Sequence, residues 1–379
     1  MKISIEKLKN TISRLNIAIE KNKVNPKAGW IEFQAIEDHL FFKVSNFDYY
    51  LEAYVPIEEK SSDLIHATVS SDTFIPLISK LTGEYVVITQ DINTVKLTTA
   101  KNEYTFPLIK DMGKVKCLDS ISIDLSKSNH GIFSGKDLAT ISDVNVKGLD
   151  ALFIRDIQAY IYVDNQGAIT FTENIYVNDF NKSVESEEPL KFLLNLTQAK
   201  LMKVFEKSDD VYVNIMQTSP EINSRIQFED KVNKIKLIII SKSMNDVLRF
   251  PTLKLRQVAT QALEAHITVD KKELDKALSR LMVFDKKFDT TILNYSKIEF
   301  NEDGLILVSV LNKNYEKLTY IKSDNVFKRT FMIRFADLVK QLKALQANEV
   351  SIYYGNSPAI IIDSGTKVML PEIVEFNRV

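Results

Sequence analysis

Residues 3–21, ISIEKLKNTISRLNIAIEK, place a short alternating strand directly before an amphipathic helix. Apolar residues recur at helical spacing from Leu8 to Ile19, which predicts a helix over residues 7–21 with one buried face. The pattern returns far downstream in residues 267–281, ITVDKKELDKALSRL, and the two helices even share their ends, ISRL and LSRL. Recurrence at this distance predicts a chain built from repeated modules.

A second unit supports the repeat. It consists of a strand, a short helix and another strand, and it occurs in three copies: residues 66–88, 192–213 and 331–352. A weaker copy of the first unit begins at Ile121 and continues into a helix predicted over 136–144. Alternating strands follow the second unit, for example at 95–98 and 235–240. The sequence therefore predicts three modules that each contain two helices and many antiparallel strands.

The predicted module boundaries are 1–118, 119–250 and 251–379. Pro251 marks the second boundary, because proline interrupts the strand pattern at that point. The acidic stretch at 185–188 is expected to be an exposed loop of the middle module. Modules of this kind pack their helices on one face of a sheet, so the expected fold class is α+β.

Composition bounds the class of protein. The 379 residues include 45% hydrophobic and 26% charged residues, with only 10 Gly and 9 Pro, which favours strands with short turns. The single cysteine, Cys117, excludes an intramolecular disulfide and fits a reducing compartment. The chain shows neither a membrane-spanning apolar run nor a signal peptide. We therefore expect a cytoplasmic protein that does not engage membranes.

Charge is distributed unevenly along the chain. The six predicted helical segments carry 18 basic and 10 acidic side chains, although the whole chain has a formal net charge of −1. The helices thus have a net charge of +8, and the rest of the chain is acidic. Basic helices on a near-neutral chain suit a surface that faces DNA phosphates. The alternative is that these lysines only keep exposed helix faces soluble.

Motifs for chemistry are absent from the sequence. The four histidines, His39, His66, His130 and His266, are far apart and lack metal-ligand spacing. The stretch at 134–137, SGKD, lacks the upstream glycine and the final Ser or Thr of a phosphate-binding loop. There is no nucleophile elbow and no zinc-protease motif. We therefore expect neither enzymatic activity nor a cofactor or metal.

The ordered set of features resembles the bacterial sliding clamp, the β subunit of DNA polymerase III, in a divergent, phage-like form. The opening strand and helix, the RFP step at 249–251 and the last helix and strand at 335–350 carry the resemblance, which covers essentially the whole chain. The family implies a homodimeric ring with sheets outside and helices lining a central channel. It also implies that the ring encircles duplex DNA without reading its sequence and tethers the replicative polymerase.

The resemblance also assigns residues. Positions expected to contact DNA lie off the apolar stripes of the helices or in adjacent turns: Arg14, Lys21, Lys23, Lys80, Lys136, Lys147, Lys200, Lys203, Lys207, Lys276, Arg280, Lys340 and Lys343. Phosphate contacts of this type position DNA without specifying a sequence. Four positions match the family's dimer seam: Tyr104, Phe106, Val283 and Phe284. Their alternative interpretation is as ordinary core residues.

A hydrophobic cleft between the second and third modules is implied as well, and it would take short linear peptides from polymerase and clamp-loader subunits. The matching positions are Ile157, Thr172, Asn174, Ile175, Tyr176, Pro251, Val258, Val368, Met369 and Leu370. This chain departs from the family's pattern at two places that bear on which peptides the cleft would take. The family usually has Gly-His-Arg where this chain has residues 174–176, and this chain continues past Pro371 with EIVEFNRV.

Two other functions compete with the clamp. The first is a monomeric, clamp-like adaptor that recruits partners through the same cleft. The second is a polysaccharide- or nucleotide-modifying enzyme built on β-rich modules, which would require converging carboxylates in a pocket. A ring dimer separates the clamp from both.

Overall fold

The computed structural model describes most of the 379 residues: 1–20, 26–60, 65–110, 128–143, 160–171, 175–285, 296–309, 314–343, 345, 347–357, 359–365 and 367–370. The chain divides into two compact units. Unit one comprises Met1–Ala139, Val184–Leu190 and Thr197–Asn245, and unit two comprises Thr140–Ser183, Lys191–Leu196 and Asp246–Val379. The division between the units runs through the predicted middle module, and the three-module boundaries stay a prediction.

Eight α-helices occur in the described residues, in chain order: α1 Ile5–Leu15, α2 Ser71–Lys80, α3 Gly135–Thr140, α4 Leu196–Leu201, α5 Met244–Arg249, α6 Thr252–Ala259, α7 Lys271–Asp285 and α8 Phe335–Lys343. Short 3₁₀ turns extend α1, α3 and α4, at Asn16–Ala18, Ile141–Asp143 and Met202–Phe205, and a further one, Pro26–Gly29, precedes the strand that begins at Trp30.

The strands of the first half of the described chain are β1 Lys2–Ser4, β2 Trp30–Ile36, β3 His39–Ser45, β4 Tyr49–Pro56, β5 His66–Ser70, β6 Tyr85–Gln90, β7 Thr94–Thr98, β8 Glu103–Pro107, β9 Ser128–Ser134, β10 Ile161–Asp164, β11 Gly167–Phe171, β12 Ile175–Asp179 and β13 Glu185–Ser186. Those of the second half are β14 Lys191–Leu194, β15 Asp210–Met216, β16 Arg225–Asp230, β17 Ile235–Ile240, β18 Ala265–Asp270, β19 Ser296–Asn301, β20 Gly304–Val308, β21 Tyr315–Leu318, β22 Lys322–Asp324, β23 Arg329–Ile333, β24 Glu349–Tyr354, β25 Ile360–Asp363 and β26 Lys367–Leu370.

Unit one contains a nine-stranded sheet and a four-stranded sheet. The large sheet has the order β13-β9-β15-β16-β17-β4-β3-β2-β5, and the small sheet has the order β1-β6-β7-β8. Helices α1 and α2 pack against one another, and α1 also contacts β3 and β4. Phe74 of α2 is fully buried and stacks on Phe33, with ring centroids 5.7 Å apart. The core therefore lies between the helices and the sheets.

Unit two repeats this plan. Its large sheet has the order β14-β10-β11-β12-β26-β25-β24-β18-β22, and its small sheet has the order β21-β20-β19-β23. Helices α7 and α8 pack against one another, as α1 and α2 do in unit one. The strands pair in antiparallel fashion in both units, for example β19 with β20 and β24 with β25. The predicted α+β fold class is confirmed.

Helix α1 forms because local signals and burial agree. The Ser4 hydroxyl accepts a hydrogen bond from the Lys7 amide, which caps one of the free N–H groups at the helix start. Glu6 in the first turn and Arg14 in the last turn both complement the helix dipole. The apolar stripe that includes Leu8 is buried, as its helical spacing predicts.

The helix predictions are confirmed in place, with shifted ends. Helix α1 stops at Leu15 and a 3₁₀ turn follows it, whereas the spacing predicted a helix to residue 21. Two helices were missed altogether, α5 and α6, on either side of Pro251. The weak strand at 121–123 lies outside the described residues. In the acidic stretch, Glu185 is exposed and pairs with β9 as part of the short strand β13.

No helix in the described part of the chain combines the length and the apolar character needed to span a bilayer.

Candidate functional site

Strand pairing joins the predicted modules in the same way twice. The fourth strand of the first predicted module, β4, pairs with the last strand of the second, β17, from Ala53 opposite Ile235 to Tyr49 opposite Ile239. We call this the first joint. The fourth strand of the second predicted module, β12, pairs with the last strand of the third, β26, over four residue pairs. We call this the second joint. Each joint lies within one compact unit, so the chain itself demonstrates the pairing rule.

Two strands that the rule would join are left on open edges. Strand β8, the last of the first predicted module, pairs only with β7 among the described residues. Strand β21, the fourth of the third predicted module, pairs only with β20 in the same part of the structure. An edge strand presents free N–H and C=O groups that can pair with another chain. The two edges are therefore candidate assembly surfaces.

The first joint is closed by side chains of its own strands. Glu52 of β4 is buried and accepts hydrogen bonds from the hydroxyls of Tyr50 and Tyr54, and Lys236 of β17 lies 3.7 Å from it. Tyr50 also packs with the buried Ile238. The carboxylate is thus partnered on both sides of the joint, which is what burial of a charge requires.

The second joint is covered by helix α6, which packs against β11, β12 and β26. Arg256 of α6 donates a hydrogen bond to Asp164 of β10 over 3.1 Å and another to Asp179 of β12 over 3.0 Å. Its guanidinium is largely buried, and two carboxylates make charge-assisted bonds to it. Helix α6 is thereby attached to two strands of the sheet.

A tyrosine next to this attachment has a raised pKa. Tyr162 of β10 stacks on Phe250 with ring centroids 5.2 Å apart. Burial raises the pKa of the Tyr162 hydroxyl to about 12, and the nearby carboxylate of Asp164 contributes to the same shift. The stack and the Arg256 attachment together fix the segment that precedes and contains α6.

The predicted peptide cleft falls on the second joint. Of its ten positions, Ile175 and Tyr176 lie on β12, and Val368, Met369 and Leu370 lie on β26. Their backbones are paired, with Ile175 opposite Leu370 and Tyr176 opposite Met369. Pro251 and Val258 are half-buried, one directly before α6 and the other within it. The remaining positions, Ile157, Thr172 and Asn174, lie outside the described residues.

Exposed leucines accompany this joint. Leu248 of α5 is 67% exposed and Leu253 of α6 is 80% exposed. Isolated apolar side chains on a surface need no special explanation. Here, Leu253 lies on α6, which packs against the strands that carry the predicted cleft, and Leu248 lies on α5, which directly precedes Phe250 and Pro251 in the chain. The geometry is compatible with the binding of an extended peptide by a few large apolar side chains.

The four predicted seam residues are placed near the two open edges. Tyr104 is half-buried and Phe106 is buried on β8, where Phe106 packs edge-on against Phe74 with centroids 5.3 Å apart. Val283 is 60% exposed and Phe284 is 42% exposed near the end of α7, a helix that contacts β21. Phe106 therefore contributes to the core, while Val283 and Phe284 present apolar surface.

Most of the predicted DNA-contacting lysines that the structure describes are exposed. They are Lys80, Lys136, Lys200, Lys203, Lys207, Lys276 and Lys343. Lys21, Lys23 and Lys147 lie outside the described residues, and of Lys340 only the backbone, in α8, is described. The exposed set lies on or directly after α2, α3, α4, α7 and α8, so both compact units carry basic helices.

The two arginines of the set differ from the lysines. Burial lowers the pKa of Arg14 on α1, and the charge of Asp230 opposes that effect. Arg280 of α7 makes a two-bond ion pair with Glu316 of β21, with N···O distances of 2.7 and 2.9 Å. The hydrogen bond from Arg280 holds the pKa of the Glu316 carboxyl below its ordinary value. Arg280 thus connects α7 to the open edge.

Sequence reasoning missed α6 and Arg256. A lone arginine whose carboxylate partners are 77 and 92 residues away gives no local signal. The available hint was proline at the helix start, which is favourable in the first turn as well as disruptive in a strand.

The histidines give no sign of a metal site. His66 lies 3.1 Å from Glu32, and His266 stacks on Tyr353. Within the described ranges, no three His, Cys, Asp or Glu side chains are grouped so that they could hold a metal ion.

Comparison with known proteins gives a consistent result. No family model matches the chain. A curated relative, the beta sliding clamp of Helicobacter pylori (strain J99), is 26% identical over 110 residues, which is 28% of this chain and 29% of that protein. The matched segment therefore spans less than a third of the relative's length.

Solved structures match over nearly the whole chain. The β subunit of DNA polymerase III from Thermotoga maritima is similar with a TM-score of 0.77 at 14% identity, covering 99% of both chains. The corresponding subunit from Streptococcus pyogenes has a TM-score of 0.75 at 14% identity, again covering 99% of both chains. The Helicobacter pylori beta clamp bound to a DNA ligase peptide has a TM-score of 0.70 at 14% identity, covering 99% of this chain and 100% of that one. The resemblance found in the sequence is confirmed at the level of the fold: this chain has the fold of the bacterial sliding clamps.

Proposed function

We propose that this protein is a DNA sliding clamp, a ring-shaped processivity factor that encircles duplex DNA and tethers a replicative polymerase. It carries out no catalytic step and needs no cofactor, because it works by topology in the cytoplasm. The observation that carries the proposal is the strand-pairing rule, which the chain uses at two joints. Strand β21 is equivalent to β4, strand β8 is equivalent to β17, and both are on open edges among the described residues.

Ring closure follows from applying the rule once more. If β21 of one copy pairs with β8 of a second copy, the joint repeats the arrangement of β4 with β17 and of β12 with β26. A joint that uses two different edges is head-to-tail, and such an assembly closes into a ring when the rotation per subunit permits. Two copies of three modules each would give six modules and two identical closing joints.

The exposed lysines give the ring its affinity for DNA. Lys200, Lys203 and Lys207 follow one another on α4 and the turn after it, and all three are exposed. Phosphate attraction is independent of sequence and weakens with salt, which suits a protein that must slide. Retention then depends on ring closure and not on tight contacts.

Retention on circles tests the clamp. Labelled protein is loaded onto circular plasmid in an extract that contains its clamp loader, and the plasmid is then isolated by gel filtration. We expect the protein to stay on intact circles and to leave within minutes after a restriction enzyme cuts them. Equal loss from cut and uncut plasmid would contradict the proposal. A protein that stays monomeric by light scattering would instead favour the adaptor.

A charge-reversal variant tests the DNA surface. Changing Lys200, Lys203 and Lys207 to Glu should reduce the steepness of the salt dependence of DNA binding, by about 0.9 in log–log slope for each phosphate that the protein no longer neutralises. The matched control reverses three exposed lysines outside the helices, Lys110, Lys231 and Lys234. The control should leave the slope close to that of the unchanged protein.

The second joint is the proposed docking site for partners. The Helicobacter pylori clamp with a similar fold has been solved with a DNA ligase peptide bound. In this chain the strands of the second joint, helix α6 and the exposed Leu248 and Leu253 supply a place for apolar anchors of an extended peptide. Polymerase and clamp-loader subunits would dock here through short linear peptides.

A further inference from the structure

We propose that the closing joint between two copies has one specific register, with Glu103 of β8 opposite Lys317 of β21, and that this ion pair selects it. The inference rests on the proposed ring, and it goes further by naming the residue pairs that meet. The occupant of each open edge is thus a second copy of the same chain, argued from the two internal joints.

Equivalent positions on the strands can be found from the hairpins. Val55, Asn178 and Leu318 correspond, because each pairs with the second residue of the third strand of its predicted module, for example Val55 with Leu40 and Leu318 with Leu305. On the last strands, Asn102, Ile235 and Lys367 correspond. Continued in register across each sheet, the strand pairing places them in the rows of Ile3, Phe133 and Val269, which each lie two residues before the start of α1, α3 or α7.

The two internal joints offer two registers. In the first joint Ile235 lies opposite Ala53, and transfer of that register to the open edges puts Asn102 opposite Glu316. In the second joint Lys367 lies opposite Asn178, and transfer of that register puts Asn102 opposite Leu318. The two differ by two residues, so both keep each side chain on the same face of the sheet.

The observed burial shows which side chains of the two edge strands lie on the helix-facing side of the sheet. Leu318 is buried and Glu316 bonds to Arg280 of α7, so these two side chains lie on the helix-facing side of β21. On β8, Phe106 is buried and Tyr104 is half-buried, while Glu103 is exposed. Both registers therefore bring the helix-facing residues of the two edges together and leave Glu103 and Lys317 on the opposite face.

Charge separates the two registers. The register of the second joint puts Glu103 opposite Lys317 and Thr105 opposite Tyr315. The register of the first joint puts Lys101 opposite Lys317, so two like charges face each other directly. Opposite charges on facing strand positions stabilise a pair and like charges destabilise it. The geometry therefore favours the register of the second joint.

Glu103 and Lys317 can both change their ion-pair partners when a second copy docks. Within one copy Glu103 lies 3.2 Å from Lys96, and Lys317 lies 3.3 Å from Asp303. Each of these pairs is exposed, with a side chain at least 43% accessible on either side. Exposed pairs contribute little, so they can rearrange or share their partners at low cost when a second copy docks. On the helix-facing side Tyr104 would lie opposite Glu316, beside Arg280.

Charge reversal tests the pair. Glu103→Lys and Lys317→Glu should each raise the dissociation constant of the dimer by roughly 10- to 30-fold, because each ring has two closing joints. The double variant Glu103→Lys/Lys317→Glu should restore most of the affinity. Sedimentation over a concentration series measures all four proteins, and Lys322→Glu, outside the pair, is the matched control.

Subunit exchange gives a second readout. A mixture of unchanged protein and double variant should form few mixed dimers, because both closing joints of a mixed ring carry like charges. Free exchange, or a double variant as weak as the single variants predict together, would overturn the ion pair. In that case retention on circular DNA would still stand, so the two proposals can fail separately.

Cysteine cross-linking reads the register directly. In a Cys117→Ser chain, a mixture of Glu103→Cys and Lys317→Cys proteins should give a covalent dimer on mild oxidation. A mixture of Glu103→Cys and Tyr315→Cys proteins tests the other register, since that register puts Glu103 opposite Tyr315. Faster cross-linking of the second mixture would overturn the proposal.

Discussion

The two internal joints of the chain follow one pairing rule but differ in what lies beside their strands. At the first joint, the polar contacts come from the paired strands themselves: the buried Glu52 of β4 is partnered by two tyrosines of β4 and by Lys236 of β17. At the second joint, a separate helix, α6, packs against the strands and is held by Arg256. This difference is the basis of our proposal that the second joint, and not the first, offers a surface for partners.

A cavity in the first joint should cost the most stability. Leu237 of β17 is fully buried opposite Leu51, so Leu237→Ala should lower the free energy of unfolding by about 2–5 kcal/mol, through reduced apolar burial and an unfilled cavity. Urea denaturation measures it. Val232→Ala, in the exposed turn before β17, is the control and should change stability by less than about 0.5 kcal/mol. Equal destabilisation by the two variants would show that the joint is not tightly packed.

Loss of the Arg256 attachment of helix α6 should have the next-largest effect on stability. Arg256→Ala removes the partner of two carboxylates, one of them mostly buried, and should destabilise unit two by about 2–3 kcal/mol. Arg256→Lys should restore only part of this, because a lysine cannot bond two carboxylates in the fixed geometry of a guanidinium.

Arg249→Ala is the matched control for Arg256. The Arg249 side chain is exposed and 3.9 Å from Asp246, so its removal should be close to neutral in urea denaturation. If Arg249→Ala and Arg256→Ala proved equally mild, the second joint would not depend on the Arg256 attachment.

The exposed leucines, Leu248 and Leu253, test whether the second joint binds partner peptides. Changing Leu248 and Leu253 together to Ser should weaken capture of a labelled peptide bearing Leu and Phe side chains by about tenfold, which is about 1.4 kcal/mol. Unfolding should hardly change, because both leucines are already exposed. Ile92→Ser, an equally exposed position in unit one, is the control for fluorescence anisotropy titrations. Weakened binding in the control would remove the assignment to the second joint.

At neutral pH the effect of Tyr162 ionisation is the smallest, because its hydroxyl titrates only in the alkaline range. The folded pKa of Tyr162, about 12, lies above the ordinary value near 10, so its stabilising contribution is complete below about pH 10 and is lost as pH rises towards 12. Tyr162→Phe should flatten the fall of unfolding free energy over that window and remove one late step from the phenolate absorbance titration. An unchanged titration would show that Tyr162 ionises like an exposed tyrosine.

Prediction from sequence succeeded where local pattern and burial coincide. Helices α1 and α7 were predicted because their apolar stripes run over several turns and bury against the sheets. Helices α5 and α6 were missed because they bury only one and two residues, whereas the six-residue helices α3 and α4, which were predicted, bury four and three. Segments that bury so few residues leave little periodic signal.

The candidate sites divide in the same way. Exposed lysines on helices could be named from the sequence, because a residue off the apolar stripe of a helix faces away from its core. The Arg256 attachment could not be named, since its partners are distant along the chain. For Phe106 the structure adds a contact that the sequence did not predict, edge-on packing against Phe74, while its place in a dimer seam stays a prediction.

The repeated strand and helix units, the basic character of the helices and the absence of catalytic motifs could all be recognised from the amino-acid sequence. These properties follow from periodicity and residue type, which are local features of the chain. Which strands pair, which edges are open among the described residues and where α6 is attached became known from the folded chain. Those features depend on pairing between residues far apart along the chain, and a pattern read along one strand does not specify its partner.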